Sequence, residues 1–289
     1  MVSINPLKQM KTMKKYMFMA VAGMLALSSC SNDENDIQDA KNAPRQMTFT
    51  AGFGDDGAQT RASLDPTTLD AEKKKVKFDA NDEISILSAK NTNTKFTTSA
   101  GGALATFSGT ATDDSKFYAV YPYTDGLTLS GDVISGIVIP SIQWNGKWYD
   151  EYNSAWDPNA PVAYATTTGS SLQFRNLCAI LKIKVVGGGS AGKITISAEQ
   201  ALAGTFSLDT STGTLTATEG STTVDTGDTG AGHWVYFDNN YCYFAIAPGT
   251  YSNFKVRTDI WGALKEEKTK ASVTFEKGKI YDLGEFSCN

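Results

Sequence analysis

Short apolar and β-branched runs, broken by Gly, Asn, Asp and Thr, recur along the chain from Met47 onward. A first series comprises Met47–Phe53, Val76–Phe78, Glu83–Leu87, Phe117–Tyr121 and Val133–Ile139. A second comprises Ser171–Phe174, Ile180–Val186, Lys193–Ser197, Thr205–Leu208, Trp234–Phe237, Tyr243–Ile246, Phe254–Arg257, Ala271–Phe275 and Ile280–Phe286. The clearest alternation is Leu181-Lys182-Ile183-Lys184-Val185, with apolar residues on one face and cations on the other, as a half-buried antiparallel strand requires. Turn residues return roughly every 8–12 positions, the spacing of β-sandwiches. The pattern predicts an all-β chain of two tandem β-sandwiches. The polar stretch Thr166-Thr167-Thr168-Gly169-Ser170 separates the two series and sets domains over residues 46–168 and 169–289.

The first 29 residues follow a different rule. A basic patch (Lys8, Lys11, Lys14, Lys15) precedes an apolar run from Tyr16 to Leu27, and the chain turns acidic at once after Cys30. A charged start, a short apolar stretch and small residues before a cut make a secretory signal. The apolar run has 12 residues, short of the roughly 20 that span a bilayer. Its ending, Leu27-Ser28-Ser29-Cys30, resembles the lipobox of bacterial lipoproteins. That resemblance implies removal of residues 1–29, acylation of Cys30 and a polar tether over 30–45. Several acyl chains hold a protein on a membrane where a single chain is marginal.

Loss of residues 1–29, which carry four lysines and no acid, moves the net charge from −5 to −9. An acidic chain with one histidine and no basic cluster lacks counter-charge for phosphate backbones, which argues against nucleic acid as a partner. Cys178, Cys242 and Cys288 remain beyond Cys30, an odd count that leaves at least one thiol outside any internal disulfide. Sequence leaves the pairing open. No CxxC spacing occurs, so no zinc or redox site is expected.

The chemical motifs fail on context. Gly187-Gly188-Gly189-Ser190-Ala191-Gly192-Lys193 satisfies GxGxxG and nearly satisfies the phosphate-loop GxxxxGK(S/T), but both motifs need a helix behind them, and Ile194-Thr195-Ile196-Ser197 reads as a strand. A flexible hairpin connection is expected there. His233 has no serine in a GxSxG elbow to serve. The pairs Asp55-Asp56, Asp113-Asp114 and Glu266-Glu267 lie in turn-rich or charged stretches without the burial that raises a catalytic carboxyl. Asp225–Asp228 lacks the acidic spacing of a calcium loop. No catalytic group, metal or cofactor is expected. The Gln143–Tyr164 stretch holds Trp144, Trp148, Tyr149, Tyr152 and Trp156 among Asn and Asp. These rings either cover an interface or form a sugar-stacking platform on a surface glycan-binding lipoprotein.

Several segments together resemble the fimbrillin-like family of envelope lipoproteins from Gram-negative anaerobes. They are Met47-Thr48-Phe49-Thr50-Ala51 with Thr60-Arg61; Asn81-Asp82-Glu83-Ile84-Ser85-Ile86; Tyr118-Ala119-Val120-Tyr121-Pro122-Tyr123; and Ile139-Pro140-Ser141-Ile142-Gln143. Ala163-Tyr164-Ala165, Leu172 to Lys182, Ala247-Pro248-Gly249-Thr250-Tyr251 and Phe275 to Gly284 continue the match. The resemblance implies two transthyretin-like β-sandwich domains and a pilus subunit or adhesin at the outer membrane surface, with other subunits and a surface ligand as partners. It also implies proteolysis after an arginine behind the first strand, for which Arg61 is the match and Arg45 the alternative. Departure of the strand carrying Met47, Phe49 and Ala51 would open a groove for a strand of the next subunit. The core of the closing strand, Ile280–Leu283, is followed directly by Gly284 to Asn289, which favours a tip or accessory subunit over a stalk subunit.

Overall fold

The computed structural model describes residues 42–54, 63–64, 76–143, 146–148, 152–154, 157, 159–187, 191–227, 235–236 and 241–287. Cys30, the leader and most of the tether lie outside them. Every element among the described residues is a β-strand. In chain order they begin with β1 (Arg45–Phe53), β2 (Ser63–Leu64), β3 (Val76–Lys77), β4 (Glu83–Leu87), β5 (Thr94–Thr98), β6 (Leu104–Ala111), β7 (Phe117–Tyr121) and β8 (Thr128–Ser130). Next come β9 (Val133–Ile139), β10 (Gly146–Trp148), β11 (Tyr152–Ser154), β12 (Ala163–Thr167), β13 (Ser171–Asn176), β14 (Ala179–Val186), β15 (Ala191–Ser197) and β16 (Ala203–Asp209). The last are β17 (Thr214–Ser221), β18 (Thr223–Asp225), β19 (Val235–Tyr236), β20 (Tyr241–Ile246), β21 (Gly249–Ile260), β22 (Ala263–Phe275) and β23 (Ile280–Ser287).

The all-β expectation holds, with one change of architecture. Instead of an open sandwich, the first sheet closes on itself in the order β1-β13-β12-β7-β4-β5-β6, and β6 returns to β1. Its interior is filled largely by rings: Phe49, Phe78, Phe96, Phe107, Phe117, Tyr121 and Phe174. Closure removes the exposed sheet edges that an open sheet must guard. The remaining strands form smaller sheets, chiefly β20-β14-β23, β18-β15-β21-β22 and β17-β16-β9-β8, around a second core.

The two cores share a wall. The run Phe117–Tyr121 is buried along its whole length. Phe117, Ala119 and Tyr121 point into the barrel, while Tyr118 and Val120 belong to the second core. The same alternation divides Ala163 and Ala165 from Tyr164 in β12. A strand buried on both faces reads as a continuous apolar run, which is why Phe-Tyr-Ala-Val-Tyr shows no period.

Two sequence boundaries change accordingly. Residues 166–170, expected as a domain break, form the end of β12 and the turn into β13, which pair antiparallel within one barrel. The passage to the second core falls after β13, where Leu177 and Cys178 already belong to that core. The second core also takes β8 and β9 from the first half, since β9 pairs with β16. β14 and β15, the strands expected to form a hairpin at the glycine-rich stretch, lie in different sheets and do not pair with each other.

The alternation expected in β14 is realised: Leu181, Ile183 and Val185 are buried, and the two lysines between them face outward. Each lysine meets an acid across the parallel pair with β23. Lys182 Nζ donates to Asp282 at 2.7 Å and lies 4.4 Å from the Tyr241 ring centroid, while Lys184 Nζ donates to Glu285 at 2.5 Å. The hydrogen bond from Lys182 holds the Asp282 carboxyl below the usual carboxylate range. A carboxylate with a depressed folded pKa stabilises the fold above about pH 4, and the contribution fades as pH falls through the folded value. Asp282→Asn is therefore expected to cost about 0.5–1 kcal/mol near neutrality. The difference from the parent chain should narrow steadily below about pH 4 in urea unfolding curves collected across pH.

Candidate functional site

Strand β1 closes the barrel. The segment Met47-Thr48-Phe49-Thr50-Ala51 alternates apolar and β-branched polar residues, and the structure turns that period into an inner and an outer face. Phe49 is 1 % exposed and Ala51 fully buried, Met47 and Phe53 are partly buried against the same core, and Thr48 and Thr50 face outward. The Phe49 ring lies 5.5 Å from Phe96 and 5.2 Å from Phe117, the latter edge-on, and Phe53 stacks on Phe78 at 4.8 Å. Aromatic pairs of this kind add roughly 0.5–1.5 kcal/mol beyond their buried area. Gly109, opposite Met47 in β6, leaves room for one of these rings, since a Cβ there would lie 2.6 Å from Phe96.

The main chain of β1 is paired on both sides, but unequally. It runs antiparallel to β6 from Arg45 to Gly52 and parallel to β13 only from Thr50 to Phe53. On the β13 side the Thr50 N–H donates to Ser170 O at 2.8 Å and the Gly54 N–H to Phe174 O at 2.9 Å. Residues 45–49 therefore rest on β6 alone. At the start of the strand Arg45 Nη2 donates to Asp113 at 2.8 Å, with both side chains more than half exposed.

Met47, Phe49 and Ala51 thus share one inward face. Arg61 falls between β1 and β2 and lies outside the described residues. Arg45, the alternative cleavage point, sits inside β1, and a cut there would leave residues 46–53 in place. The walls beside β1 carry a signal that the sequence reading passed over: Ala105 and Phe107 alternate with Thr106 and Ser108 in β6.

The aromatic stretch is only partly described. Trp144, Tyr149 and Trp156 lie outside the described residues, and Trp148 ends β10 opposite Tyr152 of β11. What anchors the stretch is Gln143, fully buried and not singled out by its sequence. Its Oε1 accepts the Ala245 N–H at 2.8 Å, and its Nε2 donates to Ala245 O at 2.6 Å and Pro140 O at 2.9 Å. The side chain acts as one rung of a β-ladder.

The acids and thiols are otherwise engaged. Asp113 binds Arg45, Glu266 lies 3.3 Å from Lys268 and accepts the Ser287 N–H, and Asp225 lies 3.1 Å from Lys193. Among the described residues, no group of three metal-ligating side chains occurs. His233, Asp55, Asp56 and Cys288 lie outside them. Cys178 and Cys242 are buried thiols that do not bridge to each other. Burial pushes the Cys178 thiol up to about 12, against a weaker effect of the Val162 N–H.

No family profile matches the chain, and no curated protein is significantly similar to it. Solved structures do resemble it. One is a protein assigned to cell adhesion from Bacteroides uniformis, with 17 % identity over 84 % of this chain and 93 % of that one, at a TM-score of 0.49. A second, assigned to cell adhesion from Bacteroides ovatus, has 11 % identity over 83 % of this chain and 92 % of that one, at 0.47. The tip fimbrial protein Mfa3 from Porphyromonas gingivalis, truncated at its C-terminus, has 11 % identity over 83 % of this chain and 94 % of that one, at 0.36.

If β1 is a core strand of the barrel, its inner and outer faces should differ sharply on truncation. Phe49→Ala is expected to cost about 3–5 kcal/mol in urea unfolding. Thr50→Ala, on the outer face, should cost less than about 0.5 kcal/mol.

Proposed function

We propose that this chain is a cell-surface fimbrial subunit of the fimbrillin-like type, assembled by strand exchange. It would be exported as a lipoprotein and held to the outer membrane through acylated Cys30. Cleavage after Arg61 would free β1, and a strand from another subunit would take its place. The carrying observation is the position of β1, the strand that closes the barrel and lies between two neighbours. Its departure would expose the edges of β6 and β13 along with the space filled by Phe49 and Ala51. Two facing edges with unpaired N–H and C=O groups over an apolar floor are the chemistry that β-augmentation uses.

Two further observations support the reading. The main chain of residues 45–49 pairs on one side only, with β6, which gives the strand an end from which it can peel. The closing strand β23 is occupied at home, paired with β14 and bonded to Lys268 and Glu266 of β22. An occupied closing strand suits an acceptor of strands, such as a tip or accessory subunit. We propose no catalytic role.

The test is cleavage of the purified mature protein with an arginine-specific protease. One new N-terminus at Ala62 is expected, with loss of monomer and capture of an added strand peptide. Arg61→Ala should abolish all three effects, whereas Arg45→Ala should abolish none. Clean cleavage at Arg61 that leaves β1 bound, with no peptide captured after mild denaturation, would overturn strand exchange.

A further inference from the structure

Among the described residues, both edges of the β20-β14-β23 sheet are capped by side chains instead of strands. On the β20 edge, Gln143 bonds the N–H and O of Ala245. On the β23 edge, two facing residues of the β21–β22 hairpin do the same for Ser287. The Glu266 carboxylate accepts the Ser287 N–H, and the Thr258 hydroxyl donates to Ser287 O at 3.0 Å. Lys268, two residues along β22, donates from Nζ to Glu285 O and lies 4.0 Å from the Phe286 ring centroid. Glu266 and Lys268 thus match Ser287 and Glu285 in opposite order at the same two-residue spacing. The hairpin meets this edge as an antiparallel strand would, with side chains in place of amides.

The β23 cap is the one built to open. Gln143 is fully buried, whereas the Glu266 and Lys268 side chains are 29 % and 46 % exposed. The strand beneath them is also jointed. Leu283 and Gly284 stand against Ile183 alone, which makes a bulge, and Gly284 takes φ +82° with open space where a Cβ would lie. Beyond the joint, Phe286 fills the second core at 1 % exposure, and Glu285 pairs with Lys184. We propose that Thr258, Glu266 and Lys268 latch residues 285–287, and that their release lets this segment turn out at Gly284 and uncovers a strand-accepting edge on β14. The occupant is an extended segment of a partner protein that restores what leaves, an acid followed by a bulky apolar residue. The acid meets the Lys184 ammonium, and the apolar side chain takes the place of Phe286. Backbone pairing along residues 184–186 supplies affinity, and the two side chains supply register. An unpaired edge beside an emptied core site is costly, so the open form stays sparse until a partner fills it.

The slot lies in the second core, so the inference goes beyond the exchange of β1 and does not rest on it. Amide exchange is followed by heteronuclear NMR in the mature chain and in a Glu266→Val, Lys268→Met double variant. Exchange at Ser287, Lys184 and Val186 is expected to rise together by about tenfold or more in the double variant. Glu266→Gln, which keeps an acceptor for the Ser287 N–H, should hold the parent rates. A peptide with the sequence of Ile280–Ser287 should slow Lys184 and Val186 again in the double variant and leave the parent unchanged. Its Phe286→Ala form should have no effect on either. Lys268→Met and Thr258→Val, which keep the parent shapes, should each raise the same three rates by a smaller factor, so a double variant that fails to fold leaves the test intact. Faster exchange confined to Ser287, unchanged rates at all three amides, or an opened edge that the peptide does not protect would each overturn the proposal.

Discussion

Strand β1 is the piece without which the first sheet does not close. It satisfies the edges of β6 and β13 together while setting Phe49 and Ala51 among the barrel's rings. Both contributions matter energetically. Main-chain pairing removes the desolvation cost of two rows of amide groups, and burial of the rings supplies most of the apolar stabilisation. Loss of the strand would remove both at once, leaving a slot that favours any segment with the same period. The proposed exchange therefore needs no new surface, only a substitute for the residues already there.

The rest of the molecule is built against that barrel through strands that serve two interiors. Tyr118, Val120 and Tyr164 leave the barrel wall to join Leu181, Phe206 and Tyr251, while their chain neighbours stay inside the ring. A wall of this kind fixes the register of β7 and β12 strongly, because a slip by one residue would exchange every side chain between the two cores.

Much of this was legible in the chain. The alternation of β14 gave its buried and cationic faces, and the period of Met47 to Ala51 is that of a strand with one inward face. Two of the elements passed over have mostly exposed side chains. β17 (Thr-Leu-Thr-Ala-Thr-Glu-Gly-Ser) and the first half of β22 (Ala-Leu-Lys-Glu-Glu-Lys-Thr-Lys) pair along their backbones with few buried residues, so hydrophobic periodicity has little to detect. Closure of the ring was hidden for a different reason. It joins Thr50–Phe53 to Ser171–Phe174, and no local pattern reports which strands meet across such a separation. The same distance hid the Gln143–Ala245 clamp. A polar connection at 166–170 looked like a linker because a hairpin turn and a domain break use the same residues.

The wall buried on both faces has a mechanical consequence. Two bodies joined by a flexible linker yield to tension one after the other, each at its own threshold. Here a pull entering through one core reaches the other as shear along β7 and β12, whose side chains are gripped from both directions. Under load the molecule behaves as a single stiff link.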